Sequence, residues 1–288
     1  MSEKYIMLQN ILSIDVEGSI EGKVAIQNNN SIYKRTNNEL KEIGYNIDVI
    51  LDFLDKHHVK ATFFILGSVA KDMPSLVYKI ANFGHEIASH GMHHQFLHLL
   101  PNKIVRQHII DSKDIVENSA SKKIYGFRAP FFSVNEKTMY IFDEIMNAGY
   151  LYDSSIYPIR GHDLYGFPYE KRFIHKMNNG LIEMPLSVIS IMGLTFPVLG
   201  GGYYRLFPYY VNKVALESLN KKKNMPGIIY LHPYEIGGKY DKILNVDFLK
   251  NFRYYHNSGT KVRYRLKKMF KSYRFGTHID FIEQNKFD

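Results

Sequence analysis

The chain has 288 residues, a formal net charge of +9 and no cysteine. Without thiols there are neither disulfides nor thiolate metal sites, so any metal must be held by imidazole and carboxylate. No apolar run approaches the roughly 18 residues of a membrane-spanning helix, and with tryptophan absent, 22 tyrosines and 19 phenylalanines supply any sugar-stacking surface.

Ile11 to Glu17 reads as a strand ending in two acids, Asp15 and Glu17, which extended chain places on one face. Tyr33 to Thr36 fits either a short strand or a loop. The spacing of Ile47, Ile50, Leu51 and Leu54 predicts a helix from Gly44 that stops near His57 and His58. Ala61 to Leu66 is a continuous apolar run, the mark of a strand buried on both faces, and Pro74 opens a helix ending at Gly84. Glu86 to Ser89 is another short buried strand, and it leads into Ser89-His90-Gly91-Met92-His93-His94. His90 and His94 stand four apart, so one helical turn or a tight turn puts both imidazoles on one side, where they can share a metal. His93 is the competing ligand.

Pro101 opens a long helix through Val105, Ile109 and Val116, and Lys123 to Phe127 reads as a strand running into Arg128-Ala129-Pro130-Phe131-Phe132. Ser133 with Glu136 then suggests a capping box for a helix that buries Met139, Phe142 and Met146. Tyr150 to Asp153 and Leu181 to Met184 read as strands, and Gly200 to Tyr204 as a flexible loop. Pro208 starts a helix through Val211, Ala215 and Leu219. Gly227 to Pro233 is a buried strand ending at His232.

This alternation implies parallel strands, with Asp15, His90, Arg128, Asp153 and His232 at strand ends, where an α/β barrel carries its active rim. A doubly wound open sheet is the competing architecture, although no glycine-rich phosphate loop follows the first strand. The expected division is one barrel over residues 1–238 and a basic helical extension over 239–288 packed on it. Lys261 to Arg274 carries seven basic residues and no acid. That segment is either a solvated face or a surface for anionic lipid or a phosphate-linked sugar, and no nucleic-acid motif accompanies it. Met1-Ser2-Glu3-Lys4-Tyr5 lacks the basic region and apolar core of a signal peptide. The expectation is a cytoplasmic protein, peripheral at the inner face of the membrane if the basic segment meets lipid.

Five separated stretches, in order, resemble the motifs of the polysaccharide deacetylases (carbohydrate esterase family four, the NodB-homology domain). They are Ser13–Glu17, Ser89–His94, Phe127–Phe131, Tyr152–Ser155 and Tyr230–Pro233. Gly200–Leu206, His232–Glu235 and Phe252–Tyr255 look like the branch associated with exopolysaccharides and surface glycans. The resemblance implies a metal-dependent amide hydrolase on a distorted (β/α)7 barrel. In that reading His90, His94 and Glu17 bind a divalent metal, zinc first and Ni2+, Co2+ or Mn2+ as alternatives. Asp15 is the general base, and Arg128 holds it in place and charged. The Phe131 backbone N–H stabilises the oxyanion. His232 protonates the leaving amine, and Asp153 is the acid available to tune it.

Tyr203 and Tyr204 are the aromatic candidates for substrate contact, and Glu183 and Glu235 are supporting or substrate-facing groups. The chain departs from the family pattern in three places. Asp15 and Glu17 stand where two adjacent aspartates are usual, Phe131 replaces a tyrosine, and the fourth motif has Ile156 and Tyr157 but no tryptophan. The implied reaction is N-deacetylation of an acetamido sugar in a surface polysaccharide or its lipid-linked precursor. The same chemistry on a formamido sugar or ureide, and a non-catalytic glycan-binding barrel, are the alternatives.

Overall fold

A computed structural model describes residues 8–21, 29–159, 167, 171–191, 194–240, 252 and 255–285. The first five residues, Gly22, Arg253 and Tyr254 lie outside this set. Strands β1 (Gln9–Val16), β2 (Thr62–Ile65), β3 (Glu86–Ser89), β4 (Gly126–Phe127) and β5 (Tyr152–Asp153) run parallel in sequence order. Beyond them β7 (Ile182–Glu183) pairs parallel with β5 and antiparallel with β6 (His175–Lys176). On the other side β10 (Ile228–Leu231) pairs parallel with β1. The sheet is a half-barrel, and among the described residues no ladder joins β6 to β10. A separate hairpin, β8 (Val188–Ile191) with β9 (Leu194–Pro197), stands apart from it.

Period-two alternation divides each strand between two cores. Leu12, Ile14, Val16, Phe63 and Ile65 meet the surrounding helices. Ile11, Phe64, Ala88, Tyr152, Ile182, Ile228 and Tyr230 fill the interior, which is therefore packed rather than hollow. The expected buried strands are present: β3 keeps its expected bounds, β1 begins two residues earlier, and the others are shorter than the runs that announce them.

Several local expectations are corrected. The helix read from Gly44 begins earlier, as α1 (Asn37–Asp55), because Thr36 caps it and Glu39 returns a carboxylate to the Thr36 N–H at 2.8 Å. Tyr33 to Thr36 is accordingly loop. Short α2 (Gly67–Asp72) and α3 (Pro74–Asn82) follow β2, and α4 (Asn102–Ala120) follows β3. Ser133 does not cap a helix. Its hydroxyl donates to the Pro130 carbonyl and accepts the Leu97 N–H, while Asn135 and Thr138 form the reciprocal cap. In α5 (Tyr140–Asn147) the buried residues are Ile141, Phe142 and Ile145, and Met146 faces solvent.

The glycine run is not a flexible loop. Gly200 lies flat against the Tyr230 ring, where a Cβ would fall 1.8 Å from it. Gly201, at φ +49°, opens helix α6 (Gly201–Leu206). Then α7 (Tyr209–Glu217) leads towards β10, and α8 (Pro233–Gly237) follows it.

The C-terminal residues do more than pack on the barrel. Helix α9 (Thr260–Ser272) buries Val262, Leu266 and Met269. Arg265 donates to the carbonyls of Tyr204, Arg205 and Phe207 at 2.8–3.0 Å, and Arg263 donates to those of Ile236 and Gly237, so both close helix C-termini. Strand β11 (Arg274–Gly276) then pairs with the start of β1. Helix α10 (His278–Asn285) sends Phe281 and Ile282 into the barrel interior. Phe281→Ala should therefore lower unfolding free energy by about 3–5 kcal/mol, read from urea denaturation. An unchanged midpoint would show that α10 is not part of the interior core.

At the same end, Thr62, Tyr152 and the Ile279 N–H all donate to the Glu86 carboxyl, yet burial raises it to about 7. A carboxyl raised on folding stabilises most below its unfolded value and loses that contribution as pH climbs through the folded one. Stability should fall between about pH 4.5 and 7, and Glu86→Gln should flatten that slope in a pH series of denaturation curves.

Candidate active site

Strand register assembles the site. Ile14 lies opposite Leu231, Asp15 opposite Phe64, Ile65 opposite Ser89, Ser89 opposite Phe127, and Phe127 opposite Asp153. The next residue along several strands therefore reaches one rim. The ladder continues through the His90 N–H to the Ile65 carbonyl, Arg128 to Ser89 and Ser154 to Phe127, at 2.8–2.9 Å.

Glu17, His90 and His94 are buried and offer ligand atoms that all lie within 4.8 Å of one another. His90 and His94 converge across a bend rather than a helix turn, and Gly91 supplies it at φ +75°. The Nδ1 of His90 is 2.8 Å from the Arg128 carbonyl oxygen. That contact fixes the hydrogen on Nδ1 and leaves the Nε2 lone pair for a ligand. Burial lowers His90 to about 4, which keeps it neutral, the form a metal needs. Glu17 contacts His94 Nε2 through its buried Oε2, for which the described residues offer no other partner. Burial alone would raise Glu17, but His94, His232 and His90 bring it down to about 2. Two imidazoles and an ionised carboxylate suit a divalent cation of the zinc type. His93 turns away and packs edge-on against His108 at 5.5 Å.

Beside this trio Arg128, fully buried, donates to Asp15 at 2.7 Å and to the Ser13 hydroxyl at 2.9 Å from Nη1. Its Nε and Nη2 hold the Ser154 carbonyl and hydroxyl, and its guanidinium lies 4.0 Å over the Phe64 ring. Asp15 is thereby fixed next to Glu17 with its second oxygen uncommitted to Arg128. Phe131, two residues past Ala129, has φ +56°, and Phe132 has φ +51°. Consecutive left-handed residues with bulky side chains are strained, a condition that folded chains tolerate chiefly at functional turns. The Phe131 ring is fixed by stacking on Phe96 at 4.0 Å and by His94 at 4.1 Å.

His232 projects from the end of β10, with its Nε2 3.5 Å from Glu17 Oε1. Its Nδ1 lies 2.8 Å from Glu235, and the same Glu235 oxygen accepts the His232 backbone N–H at 2.8 Å. Burial would lower this imidazole, but Glu235 and Glu17 outweigh it and raise it to about 9.

Two expected roles are not supported by position. Asp153 does not meet His232. Its oxygens accept the Ser155 N–H at 2.7 Å and hydroxyl at 2.8 Å, and the Ser155 oxygen in turn accepts the Ala129 N–H. Asp153 thus braces the turn before Phe131. Burial raises it, and burial with the adjacent Asp153 pushes the Glu183 carboxyl well above the usual range, so Glu183 is an interior partner rather than a substrate contact. Tyr204 is fully buried among core residues and cannot touch a substrate, and Tyr203 stacks on Phe207. The group that sequence reasoning passed over is Arg205, which pairs with Glu235. A histidine followed by proline, with glutamate three residues on, was the available signal for Glu235, since it is the spacing of a cap and its third helical residue.

A family model described as polysaccharide deacetylase matches residues 41–150. Residues 41–150 are thus similar to the polysaccharide deacetylases. A second model, a domain of unknown function (DUF3473), matches residues 154–283. The chain is 37% identical over 90 residues to a peptidoglycan-N-acetylglucosamine deacetylase of Bacillus cereus, covering 31% of this chain and 33% of that protein. It is 32% identical over 83 residues to a chitooligosaccharide deacetylase of Sinorhizobium fredii, covering 28% of this chain and 39% of that protein. The matches thus span little more than a third of the length of these relatives. In fold, the crystal structure of a polysaccharide deacetylase-like protein from Mycobacterium smegmatis superposes with a TM-score of 0.63 at 16% identity, covering 96% of this chain and 90% of that one.

If Glu17, His90 and His94 form a metal centre, His90→Ala combined with His94→Ala should remove most of the divalent metal bound by the purified chain, measured by elemental analysis. Full retention in that double variant would eliminate the site.

Proposed function

We propose that the chain is a metal-dependent hydrolase that removes the acetyl group from an acetamido sugar, in a surface polysaccharide or its lipid-linked precursor. The observation that carries this reading is the Glu17, His90 and His94 cluster with the Asp15–Arg128 pair and His232 beside it. A divalent cation on the trio, zinc by the chemistry of its ligands, would bring the pKa of a water to near 7. Asp15, oriented by Arg128, would be the group that accepts a proton from the attacking water. The Phe131 N–H serves the developing oxyanion. As the C–N bond breaks, its electron pair stays on nitrogen, which receives the proton from His232 Nε2, and the products are acetate and the free amino sugar. A barrel that only bound glycan would have no use for an acid and a base flanking a ligand trio.

The chemistry of the similar deacetylases supports the acetamido sugar, and residues around the rim support nothing narrower. The basic segment adds a second element to the reading. Arg263 and Arg265 are committed to helix carbonyls, while Lys267, Lys268 and Lys271 of α9 are exposed. These lysines would attract anionic lipid at about 1 kcal/mol per charge near the surface, which would hold the enzyme where a lipid-linked substrate lies.

Asp15→Asn should keep the metal and lose roughly 10²–10⁴-fold in turnover of an N-acetylated oligosaccharide, and His232→Ala should do the same. Loss of metal in Asp15→Asn but not in Glu17→Gln would reverse the roles of the two acids. Sedimentation with phosphatidylserine vesicles at low salt tests the lipid contact, and replacing Lys267, Lys268 and Lys271 with glutamine should abolish it.

A further inference from the structure

His232 is gripped from one direction by a chain of buried charges. Glu235 is wholly buried, and one of its oxygens serves both the imidazole Nδ1 and the His232 backbone N–H. Its other oxygen contacts the Nε of Arg205, which is 1% exposed. Arg205 is fixed in turn, since its Nη1 donates to the His256 carbonyl at 2.9 Å. The Tyr234 ring stacks on the imidazole at 5.6 Å and 15°. The frame behind these groups is rigid too. Arg265 and Arg263 of α9 close the C-termini of α6, which carries Arg205, and α8, which carries Glu235.

A helix cap alone does not explain this arrangement. Capping α8 needs only a short polar side chain on a backbone N–H, whereas burying an arginine–glutamate pair carries a desolvation penalty that often exceeds its attraction. The pair is oriented along the line from Arg205 through Glu235 to Nδ1, and that line leaves Nε2 facing Glu17 at the rim.

We propose that Arg205 and Glu235 are positioning residues, which hold the His232 imidazole with its Nδ1 hydrogen on Glu235 and its Nε2 towards the nitrogen of the scissile amide. The inference rests on the deacetylase reading for the identity of that nitrogen. Asp153, which the family pattern offers for this task, is occupied with Ser155. No proton leaves Nδ1 in the reaction. Glu235 accepts a hydrogen bond throughout, and the proton delivered to the amine comes from Nε2 alone.

Glu235→Gln and Arg205→Lys test this in the metal-loaded protein. Glu235→Gln should lower kcat for acetate release from a chito-oligosaccharide by about 10–100-fold, with KM and metal content little changed. Hydrolysis of 4-nitrophenyl acetate, whose leaving group needs no proton, should fall less than about 3-fold. In a His232→Ala background the same change should add almost nothing, because residues acting through one group are not additive. Arg205→Lys, which keeps the charge and loses the guanidinium geometry, should fall between wild type and Glu235→Gln. Equal losses on both substrates, or a full additional loss in the His232→Ala background, would assign Glu235 to the fold and overturn the proposal.

Nitrogen-15 spectra of the imidazole give a reading independent of activity. The His232 Nδ1–H signal should be downfield in the wild type and displaced in Glu235→Gln. An unmoved signal overturns the positioning role. A displaced signal in a protein that releases acetate from no N-acetylated glycan upholds the positioning role and removes only the deacetylase reading.

Discussion

A guanidinium without water has to be surrounded by acceptors, and Arg128 meets that requirement at the mouth of the barrel. Its partners come from separate strand ends, Ser13 and Asp15 on β1 and Ser154 after β5, and Phe64 of β2 lies beneath it. Removing the Asp15 carboxylate would leave the buried guanidinium without its counter-charge, a loss of several kcal/mol. The same residue also reaches the ligand trio, since its carbonyl holds the His90 ring in one tautomer. The orientations of the Asp15 carboxylate and of the His90 ring thus both depend on Arg128, one through its guanidinium and the other through its carbonyl.

The two family matches divide the chain between residues 150 and 154, and the candidate site respects neither boundary. Asp15 and Glu17 precede the deacetylase match, His90, His94 and Arg128 lie within it, and His232, Glu235 and Arg205 lie in the domain of unknown function. The β1–β10 ladder joins these pieces, because pairing Ile14 with Leu231 brings the ends of two distant strands level. Residues from the same second region, in β11 and α10, also fill the opposite end of the barrel. A chain cut between the two matches would lose both His232 and part of the interior core.

The relation between apparent role and position is clearest where they disagree. Tyr204 and Asp153 sit in stretches that look like family motifs, and both are turned inward. Tyr204 is inward because α6 is a helix seated on Tyr230 through Gly200, and a helical turn fixes which of two adjacent tyrosines faces the core. Asp153 is inward because Ser155 and Glu183 supply its partners within a few ångströms, so it cannot reach across the barrel. Glu235 is close enough in sequence to His232 to reach it inside one helical turn.

Local pattern alone determined the β–α order, the strand ends that carry chemistry, and the D-x-E and H-x-x-x-H spacings whose groups converge in Glu17, His90 and His94. These were legible because strand and turn geometry act over two to four residues, the same range as the spacings. Helix starts were less legible, since the apolar stripe of α1 begins after the Thr36 cap that actually nucleates it. The pairing of Arg205 with Glu235, 30 residues away, and the insertion of Phe281 into the barrel were decided only by the tertiary structure. Neither follows from local periodicity, because each depends on which of many possible buried partners the curved sheet brings within reach of an otherwise uncompensated charge or an unfilled space.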